Sequence, residues 1–600
     1  MEVGLLLGRI REVHNISSQK ISQGICELSV LTKFETGKRS MEKLAFEALY
    51  QRMGKYSDRF QSVLDNDEYD LMLQRWRIGD CIDEGRFDEA KVMIASYKET
   101  VKDNNLHLQY INFIECEIMH KTDVSLELRI KKLEEALAYT YPKFSEKDMR
   151  DNYYSRIEFY IIAQYARYMQ LSGDKERAAR IFTLIIEIIE GDIYDRSEME
   201  MHYRHVGFWL MEYYMDKKAY EVALQIGEKT LRRIKSGGFV SLLTETLENI
   251  SICKEYMGED VSRERSHIEV LKRFMSEYEI PTKEQYFPRY IEERVYNVND
   301  IIRQRRIMKG LTQEEILGEG CSRRTINRIE NNKATTQKKT RQFLLNKLNF
   351  PENKYIAAVD THDYTAFMLY NKIRDSIDSG EYDDIEVVLE KMQSIYKFNT
   401  INSKQFFFTV RNEISLVQNY MYESSIDDMK IMLGKTLGNI DEINLKHVML
   451  LENEWGIIKD IVGAYKLNGD YVKCLSYLRV IDESYDEFSI HKNPNIYLAV
   501  KRKMGDILGE MSDVVRGNWY AECGLKAMKR IEFLSYIPVF GYLFAWNLLE
   551  KKPNISIQEK KVCKEMLEYA YVIASLYKNN GLLEKIKIRC EKKSIVLDVG

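Results

Sequence analysis

The stretch CSRRTINRIENNK, residues 321–333, holds side chains suited to reading a base edge: Arg323, Arg324, Asn327 and Arg328. A guanidinium fork matches a guanine edge with two hydrogen bonds, and a carboxamide does the same for adenine. At helical spacing these residues point away from Ile326 and Ile329, which lie three positions apart and face inward. Ser322 stands where an N-cap hydroxyl accepts a first-turn N–H. Lys333, followed by Lys338 and Lys339, adds cations for phosphate oxygens, which fix position without reading sequence.

A reading helix needs a second helix to support it. The preceding LTQEEILGEG offers one: Thr312 and Glu315 form a capping box, Ile316 and Leu317 give an apolar side, and Gly318 and Gly320 permit a tight turn. The pair reads as a helix-turn-helix whose second helix enters the major groove. Its TQEEI and INRIENNK runs resemble the Cro and phage-repressor type. That resemblance implies that Gln313 contacts DNA near the backbone and that Glu330 is buried for structural reasons.

Such heads usually stand at a chain terminus, and this one is central in a chain of 600 residues. Sliding the sequence by 295 positions explains the placement. ISSQKISQGICELSVLTKFETGK (16–38) falls on LTQEEILGEGCSRRTINRIENNK (311–333) without a gap, pairing Cys26 with Cys321, Glu35 with Glu330 and Lys38 with Lys333. DCIDEGRFDE (80–89) falls on DSIDSGEYDD (375–384), and after one inserted residue LSGD (171–174) falls on LNGD (467–470). Register over so long a span reads as internal duplication. The central head is then the N-terminus of a second half. In the first copy Ser18 replaces the Gln, Glu27 replaces the capping Ser, and Leu28, Ser29 and Val30 replace the Arg-rich opening. Thr32, Lys33, Lys38 and Arg39 remain outward. This head reads a different half-site, grips phosphate alone, or is a structural relic.

Charge follows the same division. Residues 301–350 carry a net +8 and residues 6–55 a net +4, which leaves −16 on the rest of a chain whose total is −4. Basic islands on an acidic body are the footprint of a polyanion partner. Only 7 prolines interrupt a chain rich in Leu, Ile, Lys and Glu, which favours helix throughout.

After each head a phrase recurs at helix-to-helix turns: small residue, then a bulky one two positions on, then a small one. It occurs at Gly85-Phe87-Ala90, Gly173-Lys175-Ala178, Gly380-Tyr382-Ile385, Gly469-Tyr471-Cys474 and Gly581-Leu583-Ile586, with variants at Lys218-Tyr220-Ala223 and Asn518-Tyr520-Cys523. The pattern resembles a degenerate tetratricopeptide array, whose stacked helix pairs form a superhelix with a long concave face. A repressor-type head followed by such an array resembles the RRNPP peptide-pheromone receptors of Gram-positive quorum sensing. The expected organisation is all-α: a divergent head at 1–64, an array at 65–278, a linker at 279–299, a second head at 300–355 and a second array at 356–600. The resemblance implies a cytoplasmic transcription regulator that binds double-stranded DNA under control of a short peptide. The family carries one head per chain and works as a homodimer, so a doubled chain is expected as a monomeric pseudo-dimer or as a homodimer.

Tetratricopeptide geometry assigns groove positions. Tyr160, Arg167, His205 and Glu212 fall on the concave side of the first array, and Gly456, Lys459, Gly463 and Lys466 on that of the second. Asn412, on the preceding inner helix, is a candidate amide clamp for a peptide. A second reading makes the chain an adaptor, with the arrays binding a protein and the heads only structural.

No phosphate loop, dinucleotide fingerprint, G-x-S-x-G or H-E-x-x-H is present, so no enzyme activity and no cofactor are expected. His202 and His205 lack an evident further ligand, and no metal site is assigned. The 9 cysteines form no C-x-x-C pair and read as reduced core thiols. The N-terminal apolar run is too brief for a signal peptide. FLSYIPVFGYLFAWNLL (533–549) approaches spanning length, yet Pro538 and Gly541 interrupt it; a buried helix pair and no membrane are expected.

Overall fold

The structure, a computed structural model, describes residues 3–280, 294–318, 321–380, 382–438, 449–484, 493–531 and 534–599. Helix dominates. The first half opens with α1 (Val3–Val13), α2 (Ser18–Ser22), α3 (Leu28–Glu35) and α4 (Lys43–Arg52), then strand β1 (Gln61–Leu64). Helix pairs follow: α5 (Asn66–Asp83) with α6 (Phe87–Val101), α7 (Asn105–Lys121) with α8 (Leu126–Ala138), α9 (Arg156–Ser172) with α10 (Lys175–Ile189), α11 (Arg196–Asp216) with α12 (Tyr220–Gly237), and α13 (Leu243–Tyr256) with α14 (Ser262–Glu277).

The second half repeats this plan. Strand β2 (Val295–Asn297) leads into α15 (Val298–Met308), α16 (Arg323–Glu330) and α17 (Lys338–Lys347), then β3 (Tyr355–Ile356). The second array runs α18 (Tyr364–Ser379) with α19 (Ile385–Ile395), α20 (Ile401–Asn419) with α21 (Ile426–Leu437), α22 (Glu452–Leu467) with α23 (Tyr471–Ser484), α24 (Pro494–Glu510) with α25 (Val514–Ala527), and α26 (Ile537–Lys551) with α27 (Ile557–Leu576), closed by α28 (Asn580–Lys593). Within the two arrays each helix packs on its sequence neighbour, as in an α-solenoid.

The turn phrase works as its chemistry suggests. Gly85, Gly380 and Gly469 adopt positive φ, and the residue closing each phrase is buried: Ala90, Ile385 and Cys474. The glycine-free variant at Lys218 also holds, with Lys218 itself left-handed. Two phrases are misplaced. Asn518-Tyr520-Cys523 lies inside α25, and the left-handed residue of that turn is Ser512. Gly581 lies inside α28, and its turn uses Lys578. In both cases the aromatic or bulky residue belongs to a helix face and not to a turn.

Strands are the departure from a purely helical chain. β1 is the middle of a small sheet, parallel to β2 (Ser62 opposite Val295) and antiparallel to β3 (Gln61 opposite Ile356). The sheet therefore ties the start of one array to both flanks of the central head. The tract 279–299, expected to be linker, ends in β2 and the first turn of α15; residues 281–293 lie outside the described residues.

Contacts recur at a fixed offset. Arg11 pairs with Glu35 at 2.7 Å and Arg306 with Glu330 at 2.6 Å, each residue 295 positions from its counterpart. Gln109 donates to Thr140 Oγ1 and the Ala136 carbonyl, and Gln405 to Thr436 Oγ1 and the Met432 carbonyl, with an offset of 296. The halves also touch each other. Gln61 faces Ile356 in the sheet, at the offset of 295, and Arg273 of α14 pairs with Glu568 of α27.

Among the described residues no helix is long and apolar enough to cross a membrane. Pro538 starts α26, whose Phe540, Leu543 and Ala545 are buried, so the apolar tract is a packed helix. All 9 cysteines are free thiols.

Candidate nucleic-acid interface

In the central head, α16 is eight residues long and too short to persist alone. Ser322 caps it by accepting from Thr325 N at 3.2 Å. Ile326 and Ile329 are fully buried beneath it, and Glu330 is buried beside them. Glu330 takes a bidentate pair from Arg306 and a 2.8 Å hydrogen bond from Gln313. The expected structural role of Glu330 thus appears as a hub that joins α15, the preceding turn and α16. Gln313 is half-buried and spends its amide on that hub.

The opposite face of α16 is open. Ser322, Arg323, Arg324, Asn327 and Arg328 are exposed, as is Lys333 just beyond the helix. Arg323 makes an exposed pair with Glu314 at 3.0 Å, and Arg328 donates to the Lys333 carbonyl at 3.3 Å. Exposed pairs of this kind are worth little and are readily exchanged for a ligand. The Thr312–Glu315 capping box forms, but it closes only a turn at residues 313–316, not a regular helix. Beside Lys333, Asn66, Asp67, Asp70 and Asp300 border a cleft of about 600 Å³. Burial, with Asp67 and Asp300 nearby, raises the Asp70 carboxyl above its usual range.

The first head has the same frame with a different face. Leu31 and Phe34 replace the two isoleucines in the core, and α2 is a true helix capped by Ser17. Leu28, Ser29, Thr32 and Lys33 occupy the outward positions of α3, and Lys38 and Arg39 are exposed after it. Glu27 makes no side-chain cap. This face has one cation where α16 has three.

The heads also sit differently on their arrays. Glu158 and Glu454 lie 296 positions apart, and each accepts from the backbone N–H three residues back at the start of an inner helix, Ser155 N at 2.7 Å and Leu451 N at 2.8 Å. Glu158 pairs with Arg52 at the end of α4, and Glu454 with Arg305 within α15; all four side chains are fully buried. Burial opposes the Glu158 charge, but Arg52 and the Ser155 backbone outweigh it and hold the carboxyl below its usual range. Sequence reading missed these arginines because each falls on an otherwise apolar face, and their partners lie over a hundred residues away. Each half also leans on the opposite array: Phe60 stacks on Phe367 of α18, and Asn297 bonds Asn66 of α5.

The expected groove residues divide. Tyr160 and His205 are 1% exposed, so they are packed interior and not open wall. α9 is apolar or aromatic on most faces, and α11 buries Glu198, Glu200, His202 and Arg204 along with its aromatic residues, so both helices are enclosed nearly all round. Arg167 is buried against Trp209 and pairs with Glu212 at 2.7 Å. Asn412 is fully buried; its amide donates to Asp460 at 3.4 Å and its oxygen accepts from Ser424 N at 3.0 Å, so it is no free clamp. In the second array Gly456, Lys459, Gly463 and Lys466 are all half-buried along α22, with Gly456 against Thr409 and Gly463 against Tyr422. Among the described residues no cluster of His, Cys, Asp or Glu is placed to hold a metal.

No family model and no curated protein matches the chain. Solved structures similar to it include Bacillus thuringiensis PlcR in complex with the peptide PapR7 and DNA, at 15% identity and a TM-score of 0.32, covering 48% of this chain and 98% of that one. Another is the Streptococcus dysgalactiae SHP pheromone receptor Rgg2, at 16% identity and a TM-score of 0.26, covering 49% of this chain and 99% of that one. At such TM-scores neither likeness bears on what this chain binds.

Proposed function

We infer that the chain is a sequence-specific, double-stranded DNA-binding regulator of transcription, acting in the cytoplasm, whose grip on DNA is set by a short peptide held in an array. The observation that carries this reading is the exposed face of α16. Three arginines and an asparagine stand on a short helix that is capped at one end and pinned beneath by Ile326 and Ile329. Charged residues face water on many solvated helices; what supports a major-groove helix is that this outward set is three guanidiniums and a carboxamide, the groups that pair with base edges. The single chain supplies both heads of an internal pair, so a family-style homodimer is not needed. A peptide acts by favouring one curvature of an array over another, and this requires different affinity for the two.

Selection of bound duplexes from a random pool tests the reading, followed by fluorescence anisotropy across a salt series. The wild-type chain is expected to enrich one motif, with affinity falling steeply as salt rises. Replacing Arg323, Arg324 and Arg328 with Ala is expected to lower affinity by roughly a hundredfold or more, since each good base contact contributes ~1–3 kcal/mol. Equal binding of random and selected duplexes, or no loss in the variant with its helical fold intact, would overturn it.

A further inference from the structure

Four cations from two helices border one cavity at the end of α12. Arg196 comes from the first turn of α11, and Lys229, Arg232 and Arg233 from the last turns of α12; with Glu200 and Ser236 they enclose about 400 Å³. That size suits a small molecule. Two carboxylates answer the four cations. Glu200 is buried and accepts from Arg196 Nε at 2.7 Å and from Ser236 Oγ. Glu190, in the turn before α11, takes Lys229 at 2.7 Å and Arg233 at 3.5 Å. The same two cations lie over the Tyr203 ring, at 5.4 and 5.8 Å from its centre, which fixes them in place. Arg232 is left over. It is exposed at the rim, and among the described residues it has no hydrogen bond and no ion pair.

The cavity therefore holds two positive charges in excess, on a chain whose net charge is −4. Helix polarity accounts for part of this, since the end of α12 favours cations. It does not account for Arg196, which stands at the opposite pole of α11, where the helix opposes a cation. The cavity also lies near the junction of the two halves. Leu534 N donates to the Gly238 carbonyl at 2.9 Å just beyond α12. One turn from the cavity, burial, with the Lys578 cation of the second array close by, holds the Lys235 ammonium below its usual range.

We propose that this cavity binds a small phosphate-bearing anion of two or more charges, such as a diphosphate. Guanidinium forks suit phosphate oxygens with paired hydrogen bonds. Arg232 closes on the anion from the rim, and Arg196 and Arg233 flank it from α11 and α12. The site is separate from α16 and stands or falls apart from the DNA-binding reading.

Isothermal titration of the full chain with inorganic pyrophosphate at low salt tests the proposal. One site per chain is expected, unchanged when Arg323, Arg324 and Arg328 are replaced with Ala. Arg232→Ala is expected to weaken binding roughly tenfold or more, and Arg232→Glu to abolish it, while Lys91→Ala on α6 leaves it as it was. Arg232 is exposed, so these variants are expected to keep the wild-type circular dichroism. A parallel titration with ATP distinguishes the source of the phosphate: tighter binding than pyrophosphate identifies a nucleotide, and equal or weaker binding a free diphosphate. No binding of either, binding lost with the α16 arginines, or binding that survives Arg232→Glu overturns the site. Displacement of pyrophosphate by a mixed-sequence duplex in the α16 variant also overturns it, since the cations would then face a nucleic-acid backbone.

Discussion

Single residues show how far the halves have parted within one frame. Glu117 and Glu413 occupy equivalent inner-helix positions, at the 296 offset of the paired Gln109 and Gln405. Glu413 has Lys459, and burial of its charge is outweighed by that cation, which holds its carboxyl below the usual range. At the position of Lys459 the first array has Ala163, and Glu117 keeps a buried oxygen without a partner. Burial pushes the Glu117 carboxyl up to about 7 from 4.5. A raised folded value means that the folded state holds the proton more tightly. Stability from this group is fully present below pH 4.5 and is lost as pH rises to about 7, by at most ~3 kcal/mol. Urea unfolding midpoints across that window are expected to fall less steeply with pH in Glu117→Gln than in the wild type. Parallel profiles would show that the carboxyl is already solvated.

At the scale of elements, α3 and α16 are the same device with different surfaces. Both are eight residues long and both bury a pair of apolar side chains three apart, yet α3 offers Leu28 and Ser29 where α16 offers Arg323 and Arg324. Leu28→Arg with Ser29→Arg is expected to add phosphate or base contacts and so raise duplex affinity at low salt. The slope of log affinity against log salt should steepen by about 0.9 for each new phosphate contact. An unchanged slope would mean that α3 does not reach the duplex. α16 itself was legible because its cap, inward isoleucines and outward cations are all local. The preceding helix was over-read: Thr312 and Glu315 do close a box, but the glycines after it leave only a turn. Inner-helix assignments failed for Tyr160 and His205 because repeat spacing fixes which face a residue occupies, not what lies against that face.

At the scale of the molecule, the halves join through β1 with β3, where Gln61 faces Ile356, and through α14 with α27, where Arg273 pairs with Glu568. The offset was visible in the sequence, and the sheet was not. β1, β2 and β3 are four, three and two residues long, too short for a period-two pattern, and their pairing spans more than two hundred residues. The unlike docking of the heads through Arg52 and Arg305 was equally hidden, since it depends on which helix end reaches a conserved geometry at Glu158 and Glu454. Under the proposed function, one chain carries two reading helices, α16 and α3, of unequal strength. Hydroxyl-radical footprinting of the full chain, at one chain per selected duplex, tests that most directly. The expected result is two protected patches about one helical turn apart, the stronger lost with Arg323, Arg324 and Arg328. A single patch, or protection that appears only at two chains per duplex, would contradict it.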